Sequence, residues 1–110
     1  MRAQHFAVTA PTAFIVPEPN QRVIFYGCEL VVSGSPPPGA VNISDTLSNP
    51  LTPDLQGLAV GVIHSLPVNM SPEGFPVPRA SGGIGLSVGI SFAGGVSPTV
   101  RGTIFWEPGT

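Results

Sequence analysis

From Ile84 to Phe92 the chain alternates strictly. Ile84, Leu86, Val88, Ile90 and Phe92 share one parity, and Gly85, Ser87, Gly89 and Ser91 share the other. Successive side chains of a strand point to opposite faces, so this pattern predicts a half-buried strand and does not suit a helix. The pattern recurs. Gln56 to Ile63 places Leu58, Val60 and Val62 inward and Gly57, Ala59 and Gly61 outward. Thr99 to Glu107 places Val100, Gly102, Ile104 and Trp106 on one face, with Thr99, Arg101, Thr103, Phe105 and Glu107 on the other. No long segment carries the helical period.

The longest run, Arg22 to Ser33, is apolar on both faces. Ile24, Tyr26, Cys28, Leu30 and Val32 form one stripe, while Val23, Phe25 and Val31 form the other, interrupted by Gly27 and Glu29. Such a strand expects cover on both sides. Shorter strands are expected at His5–Thr9, Ala13–Val16, Ala40–Ser44 and Phe75–Pro78. Proline and glycine, fourteen of each in 110 residues, separate them. Two long exposed loops are expected, Asp45 to Asp54 and Pro67 to Pro72. Seven or eight short strands at this spacing predict a single all-β domain over 1–110. Its expected form is an antiparallel β-sandwich of jelly-roll type, with a closed barrel as the alternative. The stretch through Pro19 is expected as an extended N-terminal arm. The glycine-, serine- and alanine-lined strand faces have two readings, curvature of a small sandwich or a flat surface against a neighbouring subunit.

Charge narrows the function. Only 9% of residues are charged, and the basic ones are Arg2, Arg22, Arg79 and Arg101, with no lysine. Soluble domains ordinarily carry about a quarter charged residues. A surface this poor in charge is either modestly polar through Ser, Thr, Asn and Gly or, as the favoured expectation, largely covered by neighbouring subunits. Four scattered arginines make no nucleic-acid footprint. Prolines and glycines interrupt every apolar stretch before it reaches spanning length, so no membrane is expected. The N-terminus has no apolar signal core, and an unexported protein is expected. One cysteine, Cys28, excludes an internal disulfide and reads as a small core residue.

The residues offer little chemistry. His5, Cys28 and His64 fall in or beside different predicted strands, with no HxH pair, so no metal site or cofactor is expected. No G-x-S-x-G elbow occurs, and His64 and Ser65, adjacent in a strand, would face opposite ways. Glu18, Asp45, Asp54 and Glu73 sit in predicted turns as solvated acids, leaving only Glu29 and Glu107 on strands. Ser81-Gly82-Gly83-Ile84-Gly85 lacks the lysine of a phosphate loop. Asn42-Ile43-Ser44 and Asn69-Met70-Ser71 fit the glycosylation pattern, which matters only in a secreted protein. No catalytic residue is assigned and no enzyme is expected.

Several segments carry a resemblance. Pro19-Asn20-Gln21-Arg22 leads into Val23-Ile24-Phe25-Tyr26-Gly27, followed by a Ser/Gly/Pro loop and Ala40-Val41-Asn42-Ile43-Ser44. A late Gly-rich segment, Ala80 to Val88, and the closing Gly102-Thr103-Ile104-Phe105-Trp106 complete the pattern. Together these resemble the small β-sandwich virion proteins of tailed bacteriophages, of the capsid-decoration, cement and head-fibre kind. The resemblance implies a non-enzymatic homo-oligomer, often trimeric, that packs against major capsid or other virion proteins and assembles in the host cytoplasm. The alternative is a receptor- or carbohydrate-binding module of a phage fibre or tail. That role would favour exposed aromatics, whereas Trp106 and Tyr26 lie on predicted inward stripes and only Phe105 and Phe75 offer themselves.

Overall fold

Breakers cut the chain into short extended pieces: β1 (Arg2–Val8), β2 (Thr12–Ile15), β3 (Arg22–Ser33), β4 (Gly39–Asp45), β5 (His64–Leu66), β6 (Phe75–Pro76), β7 (Val88–Ala93) and β8 (Thr99–Gly109). The structure, a computed structural model, describes residues 2–46, 49–66, 74–77 and 85–110, and among these there is no helix. Among the described residues all pairing is antiparallel. One sheet runs β1-β8-β3-β5, with β6 also on β3; the other runs β2-β7-β4. β1 pairs with β8, β2 with β7 and β3 with β6, so the outer strands of the chain enclose the inner ones like a nested hairpin.

Both sheets contribute one inward parity to a shared core. Val41 and Ile43 of β4 and Val88, Ile90 and Phe92 of β7 meet Val23, Leu30, Val32, Val100, Ile104 and Trp106 from the larger sheet. Each fully buried aliphatic side chain removed from water contributes about 1.5–3 kcal/mol. This β-sandwich is the expected fold class, and the inward assignments for Leu86 to Phe92 and for Val100, Ile104 and Trp106 match it.

Four expectations are corrected. The first concerns β3, whose register against β8 shifts between Phe25 and Gly27, a β-bulge that places one extra residue on β3. The inward parity switches there, so Val23 and Phe25 are buried before it and Cys28, Leu30 and Val32 after it. Ile24 and Tyr26 therefore lie on the outer face, where Gly74 and Gly109 crowd Ile24. Second, Gln56–Ile63 is not a strand. Gly57 and Gly61 take left-handed backbone (φ 67° and 76°), which turns the chain. Leu58 stays buried, but Val60 is 52% exposed, Val62 49% and Ile63 68%.

Third, the segment after Asp45 is not an exposed loop throughout. It folds back along β4 through bridges at Ser44–Pro50 and Val41–Leu55, burying Thr52. Asp45 is likewise buried and not solvated; its carboxylate accepts from the Asn49 backbone and side-chain amides, both at 3.0 Å. Fourth, the N-terminal stretch is extended but is no free arm, because its first half lies along β8 and its second along β7. The loop expected at Pro67–Pro72, Ile84 and the Asn69 sequon fall outside the described residues.

Glycine on the strand faces has an intramolecular reason. A methyl group at Gly102 would fall 2.0 Å from the Glu29 carbonyl oxygen, and one at Gly89 would fall 1.9 Å from that of Thr12. Neighbouring backbone within the same chain occupies that space, which at Gly85 and Gly89 supports the curvature reading of the Ile84–Phe92 face, while methyl groups at Gly57 and Gly61 of the other such face would meet nothing within 4 Å.

Candidate interaction surface

The chemistry-bearing side chains are spread across the larger sheet. His5 sits on β1, and its Nδ1 lies 2.7 Å from Thr103 Oγ1 on β8. Register then runs Thr103 to Glu29 and Glu29 to Ser65, so one polar row crosses four strands from edge to edge. His64 is on the opposite edge strand from His5, with Nε2 3.3 Å from the Ala59 carbonyl oxygen. Three strand spacings of about 4.8 Å separate those edges, far beyond shared coordination. Among the described residues no group of three His, Cys, Asp or Glu could hold a metal ion. The His5–Thr103 pair joins residues 98 positions apart, and only the β1–β8 register reveals it.

Cys28 is fully buried, and its thiol is pushed up to about 12, by burial first and the Glu29 charge second. It is a packing group and a poor nucleophile. On the outer face, the Tyr26 hydroxyl donates to the Glu107 carboxylate. That bond is the main reason Tyr26 is raised above 10.0 and Glu107 lowered below 4.5.

Two surface features remain once these groups are placed. The first is apolar. Val60, Val62 and Ile63 form an exposed ridge tied to the end of β3 by Gly61 N–H donating to the Val32 carbonyl at 3.4 Å. Ile63 flanks a depression of about 140 Å³ over Glu29, Val31 and Thr103. The second is polar and covers the outer face of the smaller sheet. Depressions of about 260 and 220 Å³ share Ser44 and Ser91, and Thr12, Asn42, Asp45, Thr46 and Asp54 also contribute polar lining. Asn42 Nδ2 donates to Asp54 there, while its Oδ1 is buried and finds no partner among the described residues.

The sequence missed both features, one because the ridge alternates like a strand, the other because it joins β4, β7 and a bridge segment. Trp106 is buried as expected, but Tyr26 is on the outer face and Phe105 is half-buried; the Phe75 side chain is outside the description. No protein-family model matches the chain, and no curated protein or solved structure matches it.

Proposed function

We propose that this chain is a non-enzymatic structural subunit of a virion, a capsid decoration or cement subunit that packs against major capsid subunits and against itself. The observation that carries this reading is the exposed ridge of Val60, Val62 and Ile63 on a chain with only 9% charged residues. Exposed apolar side chains close together in sequence mark interaction surfaces, and the chain as a whole carries little charge to hold neighbours apart. The nested strand pairing, with residues 50–55 alongside β4, supports a jelly-roll reading of the sandwich. A virion subunit needs no catalytic group, and it assembles in the host cytoplasm.

The test is cosedimentation with capsid shells of the parent phage that lack this chain. Wild-type protein is expected to pellet with the shells. The triple variant Val60→Ser, Val62→Ser, Ile63→Ser is expected to bind at least tenfold more weakly with an unchanged melting temperature. Equal retention of both proteins would remove the ridge from the account, and no retention of either would remove the capsid role. The polar groove over Asn42, Ser44, Asp54 and Ser91 favours a second reading, a carbohydrate-binding module of a fibre or tail. Glycan-array binding lost in Asp54→Ala would replace the first reading with that one.

A further inference from the structure

We infer that β1 is a seam through which two copies of this chain join, by antiparallel pairing of one β1 with the other; this rests on the packing role proposed above. A strand at a sheet edge presents unpaired N–H and C=O groups, and folded proteins blunt such edges by shortness, bulges, proline, charge or cover. Among the described residues every other edge is blunted. β5 has three residues. β6 has two, and one of them is Pro76. β2 has four, breaks register between Ala13 and Ile15, and is flanked by Pro11 and Pro17. The outer edge of β4 is covered by residues 50–55, with Leu51 N–H donating to Ile43 at 2.7 Å and Leu55 N–H to Val41 at 2.8 Å.

Of these protections β1 has only a single charge, Arg2, at its first residue. Its seven residues run in unbroken register with β8 from Arg2–Trp106 to Val8–Val100, without proline, lysine or bulge. Among the described residues nothing pairs with its other side. At about 3.3 Å per residue it offers roughly 23 Å of open ladder. On its inner parity Phe6 and Val8 pack against the core yet stay half-exposed, with Phe6 stacked on Phe14 at 5.1 Å between centroids. A strand laid along β1 would satisfy the backbone and cover those rings together.

A second copy suits this edge. Arg2 is the only formal charge on β1 and stands at its first residue, with its guanidinium 5.1 Å from the centre of the Trp106 ring. Antiparallel pairing about a two-fold axis sends the two arginines to opposite ends, so no formal charges meet. The middle of the contact is Ala3 to Ala7, whose two alanines are exposed and small. The contact is isologous and closes as a dimer, merging two five-stranded sheets into one.

Sedimentation velocity of the purified chain tests this. The wild type is expected at about twice its 11.3 kDa chain mass. Ala3→Lys/Ala7→Lys puts charge on exposed positions and is expected to weaken self-association at least tenfold without lowering the melting temperature. Adjacent strand residues aim N–H in opposite directions, so one of Gln4→Pro and His5→Pro removes an outward donor and leaves the β1–β8 ladder its backbone bonds, the His5 variant also losing the side-chain bond to Thr103. That variant is expected to fold and to be a monomer. A wild-type monomer, a trimer, or a dimer that survives these changes would overturn the seam. Shell cosedimentation of the same proteins reads the capsid role separately, since a monomer that still binds shells spares that role while sinking this one.

Discussion

A methyl group is enough to separate two kinds of glycine in this chain. At Gly102 the added carbon meets the Glu29 carbonyl oxygen at 2.0 Å and the Leu30 Cα at 2.8 Å, both backbone atoms of the paired strand. Neither retreats without breaking the β3–β8 ladder. At Gly61 the same carbon meets nothing within 4 Å, and the only cost is the left-handed φ of 76°. Gly102→Ala is therefore expected to cost about 3 kcal/mol or more, and Gly61→Ala about 1–2 kcal/mol. Chemical denaturation of both variants checks the order; equal losses would contradict the close approach at Gly102. The sequence placed Gly61 on an outward face and Gly102 on the face of Val100, Ile104 and Trp106, but neither placement shows which glycine lies against backbone. What separates them is the neighbouring backbone, supplied by residues some seventy positions away at Gly102.

At the scale of elements, β3 and β8 were legible because turn-forming residues mark both ends of each run. The bulge in β3 was not. Val23, Ile24, Phe25 and Tyr26 are all apolar or aromatic, so a parity switch among them leaves no trace in the alternation. Gln56–Ile63 failed for the opposite reason: its alternation was clean, but two of its outward positions were glycines free to turn. At the bulge, β3 and β8 are also tied by the Tyr26–Glu107 hydrogen bond. Glu107 is lowered below its ordinary value chiefly by that bond, so its contribution is present above about pH 4.5 and is lost as pH falls through the folded value. Tyr26 is raised chiefly by the same bond, so its contribution is present below about pH 10 and is lost as pH rises through the folded value. Melting curves should therefore show wild type above Tyr26→Phe between those limits, converging beyond both. A difference independent of pH would mean that the hydroxyl acts through packing alone.

For the whole molecule, the sandwich follows from the alternation, while its surfaces follow from how the sheets close. Among the described residues, three of the four sheet-edge positions are shortened, kinked or covered, and nothing described pairs with the outer side of β1. The ridge at residues 60–63 stands on the surface because turns at Gly57 and Gly61 lift it out of the sheet. Low charge was legible from composition alone, and it pointed to a covered surface without locating it. The polar row from His5 to Ser65 was invisible in the sequence, since it exists only through three registers in series.

The central claim is that this chain works by repetition on a larger assembly. Quantitative mass spectrometry of purified particles measures this directly as the ratio of this chain to the major shell protein. On the order of hundreds of copies per particle are expected, as symmetric decoration of a shell requires. A ratio corresponding to about six or twelve copies would place the chain at a single ring-shaped vertex or tail instead. Its absence from the particle would contradict the account outright.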